Sequence, residues 1–447
     1  MTGGASTDLR DNAEERLVMS SIAVIGAGIT GITTAYKLLA RGFDVTVFDR
    51  QPYAAMETSF ANGGQLSASN AEVWNQPSTF LKGIKWMLTK DAPLLVDPKP
   101  TWHKLSWMAE FVLAARNYEQ NTIATTKLAI QAREHLLGMA EREGFSFDAE
   151  KRGILHVYEE KSEFAHAAKV NGLLEKGGLK RVAVGPQEIT AIEPTIRGNF
   201  VGGFFTESDF TGDIHKYTRN LADACRRHGA RLKFSADVTR LASHGENGAE
   251  VFSRPAGSKA ASSPERFDAI VVCAGVASRK FARDLGDRVN VYPVKGYSIT
   301  VNLTDEESRA GAPMVSLLDD HAKIVTARLG PDRLRIAGTA EFAGENRDIK
   351  DARIRPLTEW CRTRFPEVST SSVIPWAGLR PMMPNMMPKV GRGRQANVFY
   401  NTGHGHLGWT LSAITAEMIA GEVAAAKARQ PRRAAPEAQG TLAAHGA

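Results

Sequence analysis

Residues 21–49 read SIAVIGAGITGITTAYKLLARGFDVTVFD, and no other stretch limits the fold as tightly. IAVIG is a short apolar, β-branched run, the pattern of a strand buried on both faces. GAGITG follows directly and sets Gly26, Gly28 and Gly31 in GxGxxG spacing. TTAYKLLARG carries helical periodicity up to Gly42, and FDVTVFD is a second strand ending at Asp49. The glycines have separate mechanical duties. Gly26 allows a tight turn, Gly28 removes a side chain where backbone must approach a pyrophosphate, and Gly31 lets helix pack on strand. The helix start, with Ile29 and Thr30, offers N–H groups to an anion. Asp49 stands eighteen residues beyond Gly31, where this unit holds a carboxylate against a ribose hydroxyl, and Arg50 follows it. A GxGxxG alone is weak; strand, turn, helix, strand and acid in this order predict a dinucleotide-binding unit. The acid argues against a 2′-phosphate and does not choose between FAD and NAD.

The choice comes from further along the chain. FDAIVVCAGVA, residues 267–277, is a buried strand breaking at Ala274-Gly275, and ARLKFSADVTRL, which includes Val238, reads as a strand leaving a helix. The chain thus returns to the first sheet about 200 residues after leaving it, an interrupted organisation that suits FAD better than NAD. Asn62, Gly63, Gly64 and Gln65 lie in a small, polar stretch whose glycine pair lets backbone approach a flat ring or a phosphate. The expected architecture is α/β: a discontinuous Rossmann-like FAD-binding domain (21–90, 210–285 and 375–425) interleaved with an α+β substrate domain (91–209 and 286–374) containing a mixed or antiparallel sheet. Residues 1–20 and 427–447 are expected to be disordered arms, since the first is polar and the second rich in Ala, Pro and Arg.

A chain of 447 residues exceeds one ordinary core, so two or three domains are expected. Cys225, Cys273 and Cys361 are far apart and form no CxxC, which argues against a metal cluster or disulfide framework and fits a reducing, cytoplasmic compartment. The net charge of +7 is thinly spread outside the tail. No clustered basic face with stacking aromatics appears, so nucleic acid is not an expected partner. No window reaches the ~18 apolar residues of a membrane span, which leaves only a peripheral membrane contact.

In the middle, residues 105–142 show helical spacing closed by Gly144, and GILHVYEE is a strand. Asp213 precedes the helix HKYTRNLADACRRHG as a cap, and 242–266 form a hairpin-like excursion. VYPVKGYSITVNL, AKIVTARL and DRLRIAGTAEF alternate with period two, as an antiparallel sheet roofing the cofactor would.

The closing segment carries the chemistry. WAGLR is a strand ending at Arg380, whose planar fork suits a substrate carboxylate. NTGHGHLGWT follows, just before the last helix. Gly403, Gly405 and Gly408 allow backbone to lie against a flavin, and the helix start (Leu407, Trp409, Thr410) offers N–H groups to the end of the flavin that becomes anionic on reduction. His404 and His406 either orient this turn or border the substrate.

GAGITG with Asp49, METSFANGGQLS, YPVKGYSIT, WAGLRPMMP and NTGHGHLGWT together resemble the FAD-dependent D-amino-acid dehydrogenases, within the superfamily of glycine and sarcosine oxidases. The resemblance spans residues 21–425 and touches GIKWMLTKDAPL. It implies non-covalent FAD and hydride transfer from Cα of a D-amino acid to flavin N5. The imino acid is then hydrolysed to a 2-oxo acid and ammonia. Electrons would pass to a respiratory acceptor, a quinone or carrier, at the cytoplasmic face of the inner membrane. It also implies that Arg380 clamps the carboxylate and that Lys295 and Tyr297, in the KGY segment, face the flavin. Two departures bear on substrate choice: Asn385-Met386-Met387-Pro388 replaces an Asp-Gly pair, and His406 stands where Thr is common. A cyclic D-imino acid (D-proline or hydroxy-D-proline) is therefore an alternative substrate. An oxygen-using oxidase and a non-catalytic FAD-binding subunit are alternative functions.

Overall fold

The computed structural model describes residues 20–76 and 94–429. Two sheets organise the molecule. The first has six strands in the order Lys389–Arg392, Val398–Thr402, Ala269–Val272, Ser21–Ile25, Asp44–Phe48, Arg231–Lys233. Its neighbours are parallel apart from the Lys389–Arg392/Val398–Thr402 pair. Ser21–Ile25 is central and buried, as its unbroken β-branched run requires. The helix Ile29–Leu39 covers one face and packs beside the last helix, Gly408–Ala428. Ile22, Val24, Ile32, Leu38, Val45 and Tyr217 form the core between sheet and helices.

The second sheet is mixed. Its strands run in the order Val373–Met382, Tyr292–Asn302, Arg333–Phe342, Ile324–Arg328, Ser316–Asp319, Ile154–Tyr158, Gly202–Thr206, Val182–Val184, with Leu94–Val96 beside Arg333–Phe342. Most pairs are antiparallel; Ser316–Asp319 with Ile154–Tyr158 and Leu94–Val96 with Arg333–Phe342 are parallel. A small antiparallel sheet, Ala236–Ser243, Ala249–Pro255 and Ser263–Phe267, hangs from the first sheet.

Several elements depart from the sequence reading. ARLKFSADVTRL is two strands in two sheets, because the chain turns at Ser235, where φ is +51°. The excursion at 242–266 is the three-stranded meander rather than one hairpin. The long helix divides into Trp102–Leu113 and Tyr118–Glu143, with a 3₁₀ turn at Ala114–Asn117 between them; Gly144 closes the second with φ +67°. Val373–Met382, expected partly in the nucleotide-binding layer, pairs along its length with Tyr292–Asn302 in the second sheet and runs two residues past Arg380. The last helix extends to Ala428. Asp213 caps its helix as expected, its Oδ1 accepting from the N–H groups of His215 and Lys216. The arm before Ser20, the tail after Arg429 and most of GIKWMLTKDAPL lie outside the described residues. Among the described residues, no helix is long and apolar enough to cross a membrane.

Candidate active site

A cavity of about 1040 Å³ opens between the two sheets. Every site residue expected from the sequence borders it except Gly31 and Lys295. At one end stands the glycine turn. Gly26 has φ +107°, and a Cβ there would lie 2.6 Å from the Cys273 carbonyl oxygen. A Cβ on Gly31 would lie 1.8 Å from the Gly26 oxygen, so this glycine serves close packing behind the wall. Gly28 is the N-cap of its helix and has no side chain to cap it. Ser59, which the sequence reading passed over, accepts the Ile29 N–H through its Oγ at 3.0 Å.

Asp49 ends its strand at the cavity wall, accepting the N–H of Ala27 at 2.6 Å and of Gln51 at 2.8 Å. Burial raises its pKa, against the pull of those two donors. Arg50 pairs with Glu57 through Nε at 3.0 Å, and Glu57 also meets Arg347 of the loop after the roof strand at 2.6 Å. Val238, Ala274 and Gly275 form the adjoining wall; a Cβ on Gly275, at φ +53°, would meet open space. A glycine cradle, a helix N-terminus aimed at the cavity and a carboxylate beside them fit the phosphates and ribose of FAD.

The Asn62–Gln65 turn borders the middle of the cavity, but its glycines have another purpose. A Cβ on Gly63 would lie 2.7 Å from Val325, and one on Gly64 2.7 Å from Ala327. Their missing side chains let the turn seat against the roof sheet. The Asn62 side-chain oxygen accepts the Gly64 N–H, while Gln65 donates to Ser316 and to the Leu317 carbonyl and leaves its own buried Oε1 unpaired.

At the far end lies Arg380. Its guanidinium lies across Gly296, where a Cβ would sit 2.3 Å from Cζ. Nη1 donates to the Thr339 carbonyl at 3.2 Å. Thr339 takes φ +55° at a bulge where Lys295 faces Glu341 and Tyr297 faces Gly338. The bulge re-aims backbone toward the guanidinium, a placement that period-two reading could not supply. Among the described residues no carboxylate pairs with Arg380, and burial lowers its pKa to about 10.

Lys295 and Tyr297 flank Gly296 and so point to the other side of the sheet. Lys295 is fully buried, donating to Asn346 at 2.7 Å and to the Asp348 carbonyl at 3.1 Å. The structure does not bring its ammonium to the cavity. Tyr297 touches the cavity, but its hydroxyl donates to Glu341 at 2.6 Å.

In the glycine turn before the last helix, Gly403 (φ +76°) and Gly405 (φ +59°) need left-handed backbone, and Cβ atoms there would strike Met383 and Met382. Gly408 is already helical, and Leu407 packs in a small core cluster. Trp409 points into the main core against Tyr217 and Phe147, leaving its backbone at the cavity. The Thr410 hydroxyl accepts the Ser67 N–H. His404 Nε2 lies 2.9 Å from the Thr415 hydroxyl and ties the turn to the helix. His406 donates from Nε2 to the Asn70 carbonyl at 3.2 Å and stacks on Trp74. Burial lowers these two imidazoles to about 3 and about 4, so both are neutral at physiological pH.

Comparison with known proteins agrees with this geometry. The family model described as FAD dependent oxidoreductase matches residues 21–422. D-amino acid dehydrogenase 3 of Mesorhizobium japonicum is 59% identical over 406 residues, covering 91% of this chain and 97% of that protein. D-amino acid dehydrogenase of Paramagnetospirillum magneticum is 39% identical over 419 residues, covering 90% and 96%. Among solved structures, glycine oxidase from Bacillus cereus superposes with a TM-score of 0.68 at 19% identity, covering 91% of this chain and 98% of its own, which establishes the likeness of fold. The residues at the glycine turn, the cavity they border and the match over nearly the whole chain lead to one conclusion: this chain is an enzyme of the DAO family of FAD-dependent oxidoreductases.

Proposed function

We propose that the enzyme oxidises a D-amino acid to its imino acid, which water converts to a 2-oxo acid and ammonia, and that the electrons pass to a respiratory acceptor. The observation that carries the substrate class is Arg380: a guanidinium facing the cavity, held by one carbonyl and a glycine seat, with no carboxylate of the described residues beside it. Such a cation is built for an incoming carboxylate, which it binds through two parallel charge-assisted bonds. The names of the two relatives support the D configuration and a dehydrogenase.

FAD, when bound, supplies the two-electron acceptor for the hydride leaving Cα. The chain's own work is positioning and dehydration. Arg380 fixes the carboxylate and thereby the direction of the Cα–H bond. The low-polarity surroundings that depress the histidines also favour a neutral substrate amine, which can push electrons as hydride departs. No acid–base dyad is required, and the neutral His404 and His406 are consistent with that. A peripheral contact with the cytoplasmic face of the inner membrane would bring the enzyme to its acceptor.

Anaerobic bleaching of the bound flavin by paired D- and L-amino acids tests the reading. Bleaching by D-enantiomers is expected; bleaching by L-enantiomers alone, or by neither, refutes it. Peroxide formation in air, equal to turnover, would replace the respiratory acceptor with oxygen.

A further inference from the structure

Beyond Gln65 the chain runs along one wall of the cavity. Asn70, Glu72, Trp74 and Gln76 border it, whereas Ala71, Val73 and Asn75 between them are buried behind. The middle of this wall holds a carboxyl that the reaction described above does not use. Glu72 Oε1 accepts from the Tyr118 hydroxyl at 2.6 Å and from Gln76. Its other oxygen makes no hydrogen bond among the described residues. No lysine, arginine or histidine among them forms an ion pair with it: His166 and, more weakly, Lys323 act on it from beyond ion-pair distance, and Lys323 is engaged by Asp320 at 2.7 Å. Burial accordingly raises the carboxyl's pKa. A second acceptor stands close by. His406 stacks on Trp74 with rings 4.6 Å apart, and since Nε2 donates to Asn70, Nδ1 carries a lone pair that is buried without a partner. A buried acceptor such as Nδ1 is costly without a donor, and the second Glu72 oxygen, which is not buried, is accessible to a donor brought into the cavity.

We propose that Glu72 reads a hydrogen-bond donor, a hydroxyl or an ammonium, that the substrate carries away from its α-carbon, so that polar D-amino or D-imino acids are preferred to their apolar counterparts. This rests on the amino-acid reading above. Arg380 takes the carboxylate, and Glu72 meets the far end of the same molecule. The Trp74–His406 stack lines the same cavity, with His406 near enough to feel the Arg380 charge, and gives the intervening carbons an apolar surface. The shared chemistry is the donor; an open-chain ammonium and a ring hydroxyl are its two sources.

The test uses matched pairs that differ only in that donor: D-lysine against D-norleucine, and cis-4-hydroxy-D-proline against D-proline. For each pair, the rate of anaerobic flavin reduction is measured over a range of concentrations with wild type and with Glu72→Gln. Wild type is expected to favour the polar member of at least one pair tenfold or more, because a site built around a donor rejects the analogue lacking it. Glu72→Gln is expected to lower that ratio at least tenfold, and whichever pair responds identifies the donor. Glu72→Ala, which removes the acceptor without adding an amide, should lower the ratio likewise; flavin content and Tm confirm that both variants are folded. Equal rates within both pairs in wild type, or a ratio that survives both substitutions, overturns the inference while leaving the amino-acid reading intact. Reduction by no D-amino acid overturns both.

Discussion

Gly296→Ala separates the position of the clamp from its charge. The added Cβ would stand 2.3 Å from Arg380 Cζ, whereas ordinary carbon contacts begin near 3.5 Å. The guanidinium must therefore retreat by about 1 Å. It is the far end of a flexible side chain, so the strand itself need not deform and stability should change little. The retreat draws the fork away from the Thr339 carbonyl and from the plane in which two parallel bonds to a carboxylate form. Loss of one charge-assisted bond costs about 1.5–3 kcal/mol. At 1.36 kcal/mol per decade this is a roughly 10- to 150-fold rise in the substrate Kd. Stopped-flow flavin reduction reads Kd from the concentration dependence and the chemical step from the plateau. Arg380→Ala should weaken binding at least as much, and the double variant should be no worse than Arg380→Ala, since the two changes act on one contact. A Gly296→Ala enzyme with wild-type Kd, or a double variant in which the losses add, would refute the placement of the clamp.

The remaining predictions concern the cofactor end, the histidines and the thiols. Gly31→Ala puts a Cβ 1.8 Å from the Gly26 oxygen, and the protein should purify without flavin or fail to fold; a wild-type ratio of 450 nm to 280 nm absorbance would contradict this. His404 and His406 titrate lower in the folded protein than the usual 6.5, so the unfolded chain takes up more protons between that value and about 4. Stability from these groups is full above pH 6.5 and is lost as pH falls through the folded values; Tm should drop in that window, and His404→Gln should flatten the drop. Cys225, Cys273 and Cys361 are buried and their pKa values raised, the latter two to about 12. Native protein should resist a thiol reagent that labels all three after denaturation.

Much of the fold was legible because it is local. The Ser21–Asp49 unit is written by contiguous residues, and the roof strands by their alternation. What escaped depends on partners far away in sequence. Alternation puts Lys295 and Tyr297 on one face and Gly296 on the other, but only the pairing with Val373–Met382 and the bulge at Thr339 decide which face meets the cavity. The Gly63-Gly64 pair looked like a ligand seat because the residues it accommodates, Val325 and Ala327, lie about 260 residues on. Glu72 carried a faint local signal, the alternation from Asn70 to Gln76, but nothing in it reveals that Tyr118 would occupy only one of the carboxyl oxygens.

The strand order of the first sheet also bears on how the chain is made. Ser21–Ile25 pairs on one side with Asp44–Phe48, which leaves the ribosome almost with it, but on the other with Ala269–Val272, which in turn waits for Val398–Thr402. The first strand emerges early and keeps an unpaired apolar edge until most of the polypeptide has been synthesised. At the usual 5–20 residues per second that interval is on the order of tens of seconds. During it, Ile22, Val24 and their neighbours offer a template for pairing with other chains. Expression yield should therefore respond to chaperone supply and to the speed of translation. C-terminal truncations ending before Val398 should accumulate as insoluble protein, since cutting there leaves the edge without its last strand.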